Sequence, residues 1–352
     1  MMRVAAANLV TVSSRAGRNC GTPPKSLPTT VGRSPCVGGL WWPCVRRESA
    51  GARVHIVAPF SIHLLGLIMA ICWLNGQFVP EAQAQVSIFD RGLLFGDGVY
   101  EVAAVFGGRL LDADRHLVRL ERSLAAIAIP STHSAAEWVA LMQSLVDQNG
   151  IDEGLVYLQV TRGVAERDFA FPASVTPTCF AYARKKALSG DPHAHGIALH
   201  TVADIRWARR DIKSVAMLAQ VLAKQAAKAA GAYEALMHED GVVTEGGSST
   251  AWIVQHGTLL TRPLSHDILA GITRDVVLEL AAQAGIPTVE RAFTLNEVRQ
   301  AEECLITSAT SFVLPVTRVD GQVIADGVPG PITMRLRDAY LARAATLTAR
   351  SA

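Results

Sequence analysis

The sequence predicts an α+β or α/β fold in two domains, and three observations support this prediction. The chain has 352 residues, half of them apolar, which is enough to form two sizeable hydrophobic cores. Segments with strand alternation and segments with helical periodicity follow one another from residue 70 onward. Residues 187–195, rich in small and turn-forming side chains, separate two such series. We therefore expect domains at residues 69–188 and 195–352, joined by a crossover at 187–195.

The first series predicts a sheet with two helices. Asn75-Gly76 favours a hairpin turn, because these residues tolerate the positive φ angles of a type I′ turn. Leu117, Leu120 and Leu124 recur on one face of a helix expected at 114–128, and a second amphipathic helix is expected at 134–148. The strands are predicted at 70–74, 77–79, 99–102, 155–161 and 178–183.

The second series alternates more strands with helices. Asp240-Gly241 predicts a hairpin turn, and Gly231 is suited to end a helix that follows Lys213. Further helices are expected at 273–284 and 332–347. Strands are predicted at 196–202, 242–245, 252–254, 258–261 and 303–307.

Residues 1–68 contain eight arginines and lysines but one acidic residue, and they are not expected to form a packed domain. Three interpretations remain open. The composition fits a transit peptide, and the apolar run 54–74 fits a membrane anchor. In the third, translation begins at Met69 and the preceding residues are a non-native or disordered extension. We favour the third interpretation, and hence expect no membrane association.

The remainder of the chain excludes some classes of function. It is mildly acidic and has no basic patch, so a nucleic-acid partner is not expected. The six cysteines show no CxxC pair and no metal-ligand spacing. This pattern predicts a reduced, cytoplasmic protein without a metal site.

Lys213 is the lysine best placed to act as a chemical group. It is one of six lysines, and it stands where the charged run 209–211 gives way to the semi-apolar run 214–222. Burial at such a boundary favours the neutral amine, which is the nucleophilic form. On position alone, Lys213 also fits a lysine that extends to water at the start of a helix.

Four blocks of sequence settle this choice. They are SIFDRGLLFGDGVYEV at 87–102, HLVRL at 116–120, DIKSVAMLAQVLAKQAAKAAGAYEALMHEDGVVTEGGSST at 211–250 and LAGITRDVVLEL at 269–280. In content, order and spacing they resemble the fold-type IV pyridoxal-phosphate aminotransferases, and most closely the D-amino-acid (D-alanine) aminotransferases. The resemblance implies a two-domain fold with pyridoxal 5′-phosphate at the domain interface, and a homodimer.

The resemblance also assigns cofactor-binding residues. It implies that Lys213 is the Schiff-base lysine and the base that moves the substrate's α-proton. Glu245 would face the pyridine nitrogen and keep it protonated. Arg119 and the turn that contains Ile272 and Thr273 would bind the phosphate, the turn because it opens a helix with free amides.

The remaining implied residues lie near the cofactor or bind substrate. Arg206 would lie near the cofactor, and Tyr100 and Tyr157 would line the substrate pocket. Arg167 would capture the substrate carboxylate from the partner subunit, for which its guanidinium fork is suited. Phe169 stands where the D-amino-acid branch has histidine, so one donor is lost, which costs about 1–2 kcal/mol or broadens specificity.

A second departure concerns the phosphate. Ala309 aligns with the family's phosphate-binding threonine, so Thr310 or a main-chain amide has to substitute, or the cofactor is held more loosely. Phe312 and Leu314 also replace polar residues of the family.

The function implied is transamination between D-amino acids, such as D-alanine and D-glutamate, and 2-oxo acids. The alternatives of the same fold are a branched-chain L-amino-acid aminotransferase and an aminodeoxychorismate lyase. A non-catalytic binding protein is the alternative from another class, and the presence of both Lys213 and Glu245 argues against it.

Overall fold

The computed structural model describes residues 70–174, 176–188 and 194–349. The interpretations of residues 1–68 and most of the predicted crossover at 187–195 lie outside the described residues.

The first half of the described chain forms a six-stranded antiparallel sheet with order β2-β1-β6-β5-β3-β4. Its elements are β1 (Ile71–Leu74), β2 (Gln77–Pro80), α1 (Arg91–Phe95), β3 (Gly98–Phe106), β4 (Arg109–Leu110), α2 (Ala113–Ala126), α3 (Ala135–Gln148), β5 (Gly154–Thr161) and β6 (Thr178–Lys185). A short 3₁₀ turn, Glu81–Gln83, follows β2.

Helices α2 and α3 cover one face of this sheet. Leu117, Leu120 and Leu124 of α2 are buried in one cluster with Trp138 of α3 and the inward side chains of β3, β5 and β6. Helix α3 begins where the sequence predicts, because the Ser134 side chain caps its first turn in a capping box. The apolar stripe of each helix thus selects its packing face.

The second half forms a nine-stranded mixed sheet. Its elements are β7 (Ile197–Ala203), α4 (Leu218–Ala229), β8 (Glu234–Glu239), β9 (Val242–Gly246), β10 (Thr250–Gln255), β11 (Thr258–Thr261), α5 (Ile272–Gln283), β12 (Thr288–Glu290), α6 (Leu295–Arg299), β13 (Glu303–Ser308), β14 (Phe312–Val319), β15 (Gln322–Val323) and α7 (Pro331–Ala349). The strand order is β12-β11-β10-β13-β14-β7-β8-β9, with β15 paired to β14. The pairs β11–β12, β7–β14 and β7–β8 are parallel.

The two sheets share a hydrophobic core. Ala104 and Leu111 from the first half lie in one cluster with Phe312, Leu336 and Tyr340 from the second. The ring of Phe312 stacks on that of Tyr340, with centroids 4.9 Å apart. Helix α7 therefore packs where the sheets meet.

Most predicted elements are confirmed to within a few residues, but β14 is absent from the sequence predictions. Pro315 lies inside this strand, and proline lacks the amide that a central strand needs. In the structure, pairing of β14 with β7 begins only at Val316, so the missing amide of Pro315 is not required there. Within the described residues, no helix combines the length and apolar character needed to cross a membrane.

Candidate active site

Lys213 lies in an extended segment that is bonded along the start of β3. The Tyr100 amide donates to the Lys213 carbonyl at 3.0 Å, and the Val215 amide donates to the Gly98 carbonyl at 3.0 Å. On the other side, the Lys213 amide donates to the Ser123 hydroxyl of α2 at 3.3 Å. Main-chain bonds to two elements therefore fix the point from which the half-buried Lys213 side chain extends.

The Lys213 ammonium lies above an aromatic row. Its Nζ is 4.2 Å from the centroid of the Tyr100 ring, and that ring stacks on Tyr157 at 5.5 Å. Tyr157 stacks in turn on Tyr182 at 5.1 Å and donates to Gln159 at 2.7 Å. Burial raises the pKa of Tyr157 far above its usual value, so this ring is a neutral wall.

Arg119 is held by a buried acid. Its guanidinium donates two hydrogen bonds of 2.7 Å to the carboxylate of Glu101, and His116 Nδ1 lies 2.7 Å from the same carboxylate. Burial alone would raise the pKa of Glu101, but Arg119 and His116 hold it well below its ordinary value. Glu101 is therefore an anion that fixes Arg119 in one orientation.

The third donor group of Arg119 reaches the start of α5. Nη1 donates to the Ala270 carbonyl at 2.7 Å, and Gly271, the N-cap of α5, supplies no side-chain hydrogen bond to the helix. Arg119, Ala270 and Ile272 line a cavity of about 240 Å³ at this point, and Thr273 is buried beside them. An arginine beside uncapped helix amides is an arrangement that attracts phosphate.

Glu245 lies at the end of β9 in a second buried charge network. Its carboxylate forms an ion pair with Arg206, which also donates to Asp204 at 2.7 and 3.0 Å. Thr244 donates to Asp204 at 2.7 Å. Burial raises the pKa of Glu245 above its ordinary value, although the Arg206 guanidinium opposes the shift.

The dipeptide Leu269-Ala270 joins the two networks. The Leu269 amide lies 3.3 Å from each oxygen of Glu245, and the next carbonyl, that of Ala270, accepts from Arg119. Arg119 is connected, through the buried carboxylate described above, to the strand that carries the tyrosine under Lys213. The structure thus brings Lys213, Arg119 and Glu245 into one continuous set of contacts.

Arg167 and Phe169 lie apart from that set. Both are exposed on the loop that follows β5, and Phe169 is 78% exposed. The guanidinium of Arg167 lies 5.5 Å from the Phe95 ring and 5.7 Å from the Phe169 ring. Neither residue contacts Lys213 of its own chain in any described interaction.

The comparisons with known proteins agree with this geometry. A family model for amino-transferase class IV matches residues 98–319. The D-alanine aminotransferase of Staphylococcus aureus (strain MSSA476) is 41% identical over 269 residues, which are 76% of this chain and 95% of the relative. The D-alanine aminotransferase of Bacillus licheniformis is 42% identical over 265 residues, 75% of this chain and 94% of the relative.

Solved structures give the same class. The T.th. branched-chain amino acid aminotransferase with pyridoxamine 5′-phosphate superposes with a TM-score of 0.71 at 26% identity, covering 78% of this chain and 93% of that one. The chain belongs to the class IV aminotransferases. It is a transaminase with the fold-type IV architecture, and its cofactor is pyridoxal 5′-phosphate.

The residues present fit this cofactor. When bound, pyridoxal 5′-phosphate supplies an aldehyde that takes up the amino group and a ring that withdraws electrons from the substrate's α-carbon. Lys213 offers an amine, Glu245 a buried carboxylate, and Arg119 with the α5 N-terminus a phosphate cradle. The buried hydroxyl of Ser249, in the turn after Glu245, has no hydrogen-bond partner within the described residues, as expected where a polar group binds.

The position of Ala309 leaves one part of the phosphate cradle weaker. Ala309 is half-buried in the turn between β13 and β14. The adjacent Thr310 hydroxyl accepts from Lys186 Nζ at 3.1 Å, so it retains its own proton for a further acceptor.

The sequence analysis did not identify Glu101 or Asp204. Glu101 carried a usable signal, because it alternates with Val99 and Ala103 on the buried face of β3. A charged residue among inward-facing positions has to find a buried partner. Asp204 carried no such signal, since it follows β7 in a loop and its arginine partner is two residues away.

Proposed function

We propose that this transaminase exchanges amino groups between D-amino acids and 2-oxo acids, with D-alanine and D-glutamate among its substrates. The proposal rests on the joined set of Lys213, Arg119 and Glu245, together with the D-alanine aminotransferases of which this chain covers about 95%. Arg167, free of any ion pair with a described acid, offers its guanidinium to a substrate carboxylate.

The roles follow from the positions of the groups. Lys213 bonds to the cofactor and moves the α-proton, while Glu245, kept in place by Arg206, faces the pyridine nitrogen. Arg119 and the amides of Ile272 and Thr273 hold the phosphate. In each case the structure places a group of suitable charge on a fixed main chain.

Tyr100 and Tyr157 form the wall of the substrate pocket, below Lys213. Their stacked rings are rigid and neutral, so they exclude water from one side of the reacting atoms. Arg167 closes the opposite side, with Phe169 as an apolar neighbour.

We further propose that the enzyme is a homodimer in which Arg167 serves the partner's site. An exposed apolar surface supports this proposal: Ile88, Phe89, Leu93, Val164 and Phe169 are each more than half exposed. They are contiguous, since residues 89–90 and 164–165 are joined by main-chain contacts. An apolar surface of this extent is typical of a protein interface, and a second copy would bring its own Arg167 with it.

Two coarser features complete the proposal. The ranges 69–188 and 195–352 act as two domains, each with its own sheet, and the cofactor lies between them. The enzyme works in the cytoplasm, which is supported by the free thiols of the described cysteines, Cys72, Cys179 and Cys304.

A branched-chain L-amino-acid aminotransferase is the second candidate, because solved enzymes of that activity share the fold. An aminodeoxychorismate lyase would use the same lysine and glutamate. Both are disfavoured by the exposed Arg167, which has the position expected for a D-amino-acid carboxylate.

A panel of D- and L-amino donors with 2-oxoglutarate tests the proposal. We expect pyruvate from D-alanine, no turnover of L-leucine, and loss of both activity and cofactor absorbance at visible wavelengths in Lys213→Ala. Lys228→Ala, an exposed lysine on α4, is the matched control. Preferential turnover of L-leucine would move the enzyme to the branched-chain group, and unchanged absorbance in Lys213→Ala would refute the site.

A further inference from the structure

Asp97 is the centre of a buried network that the catalytic roles above do not use. It lies between α1 and β3, and its carboxylate accepts from Arg91 Nε at 2.8 Å. It also accepts from Arg162 Nε at 2.7 Å and Nη2 at 3.0 Å. Both arginine side chains are only 3% exposed. Two buried cations around one carboxylate hold each other in place only if their remaining donors also find acceptors.

The remaining donors of Arg91 reach the loop that carries Arg167. Arg91 Nη1 donates to the Asp168 carbonyl at 2.6 Å, and Nη2 lies 3.5 Å from the Phe169 carbonyl. The Arg91 amide donates to the Gly163 carbonyl at 2.9 Å. Arg91 therefore binds the loop at its beginning and again immediately after Arg167.

Arg162 holds the base of the same loop. It donates to the carbonyls of Ile127 and Ala128, at the end of α2, at 2.6 and 3.0 Å. Its guanidinium lies 3.5 Å from the centroid of the Phe171 ring, and its amide donates to the Asp97 carbonyl at 3.0 Å. The loop from 163 to 171 is thus fixed at both ends by arginines that share Asp97.

An aromatic ring carries the arrangement out to the surface. The Phe95 ring lies 4.7 Å from the Arg91 guanidinium and 5.5 Å from that of Arg167. Its centroid is also 5.5 Å from that of Phe169. Both arginines contact Phe95 within the range of cation–π attraction, and Arg167 forms no ion pair with a described residue. Arg167 is oriented but still free to bind an anion.

We propose that Arg91, anchored on Asp97, is a positioning residue for substrate carboxylate binding. It sets the height and direction of the loop, so that Arg167 presents its fork without paying the cost of ordering the loop on each encounter. This inference rests on the proposed function, since it assumes that Arg167 binds the substrate. The selected geometry requires a planar fork with three separated donors, which lysine cannot reproduce.

Arg91→Lys tests the inference. We expect KM for D-alanine and for 2-oxoglutarate to rise by about tenfold, with kcat changed by less than about threefold, because a ground-state and transition-state contact is lost equally. The inhibition constant of propionate, a carboxylate without an amino group, should rise by the same factor. The cofactor dissociation constant should stay unchanged. The matched control is Arg343→Lys, another arginine paired with a buried aspartate, Asp112, but remote from the loop.

A double-variant cycle separates positioning from general damage. If Arg91 acts through Arg167, adding Arg91→Lys to Arg167→Met should raise KM by less than about twofold beyond the single Arg167→Met change. Full additivity would overturn the inference, as would an unchanged propionate constant in Arg91→Lys. If Arg91→Lys does not fold, Phe95→Leu, which leaves both ion pairs to Asp97 intact, is judged by the same criteria.

The outcomes also separate this inference from the proposed function. If Arg167→Met leaves KM and the propionate constant unchanged, the assignment of Arg167 to the substrate carboxylate is wrong. If Arg167→Met raises both constants but Arg91→Lys and Phe95→Leu raise neither, only the positioning role is wrong.

Discussion

The ammonium nitrogen of Lys213 lies 4.2 Å from the centre of the Tyr100 ring. The two residues are also joined through their main chains, since the Tyr100 amide donates to the Lys213 carbonyl at 3.0 Å. Neighbouring main chains therefore fix the distance between the amine and the ring, and rotation of the lysine side chain alone moves the amine.

The ring and the hydroxyl of Tyr100 are expected to contribute separately. Tyr100→Phe keeps the ring under Lys213, and Tyr100→Leu removes it. We expect Tyr100→Leu to lower kcat/KM by about 1–2 kcal/mol more than Tyr100→Phe, the value of a partly desolvated cation–π contact. Steady-state kinetics with D-alanine measure the difference. Equal losses in the two variants would assign the whole effect to the hydroxyl.

Glu101→Gln should destabilise the fold at neutral pH. It removes the charge that compensates buried Arg119, and breaking such a pair costs about 3–5 kcal/mol. Urea unfolding at pH 7.5 measures this loss. As a control, Glu279→Gln breaks the exposed pair with Arg115, 2.9 Å apart, and should cost less than about 1 kcal/mol.

The same variant should change the acid stability of the protein. The pKa of Glu101 is lower in the folded protein than its ordinary value of 4.5, so its contribution is fully present above that pH and is lost as pH falls toward the folded pKa. Below pH 4.5, wild-type stability should fall more steeply than that of Glu101→Gln, by about 1.4 kcal/mol per pH unit. Parallel stability curves over this range would contradict the assignment.

Arg206→Met should narrow the pH range of activity. Glu245 has to be ionised to hold a proton on the pyridine nitrogen, and burial raises its pKa while Arg206 lowers it. Without Arg206 the pKa rises further, so activity is lost at a higher pH on the acid side, by about one unit or more. A pH profile of kcat measures the shift. Arg209→Met, which removes a surface pair with Asp211 from the same segment, should leave the acid limb in place.

Ala309→Thr should tighten the cofactor. A hydroxyl at this half-buried turn position would restore one donor toward the phosphate, worth about 1 kcal/mol or roughly a fivefold lower dissociation constant. Equilibrium titration of the apoenzyme with pyridoxal 5′-phosphate measures the constant. Ala309→Val has the same shape without the hydroxyl, and an equal gain in that variant would attribute the effect to packing.

Local patterns in the sequence were sufficient for most helices and strands. Apolar side chains repeated at helical spacing placed α2 within two residues at either end, and Ser134 marked the start of α3. Signals of this kind act over a few residues, so they need no knowledge of the fold. Strand β14 lacked such a signal, because the role of Pro315 depends on where β7 begins to pair.

The sequence by itself determined the class of enzyme and named Lys213, Arg119 and Glu245, since motif spacing survives in the order of residues. Only the tertiary structure decided how those groups are held. Arg119 depends on Glu101, and Arg91 on Asp97, because a buried charge is stable only beside its counter-charge. Which charges meet inside a protein is set by the packing of distant segments, which no local pattern encodes.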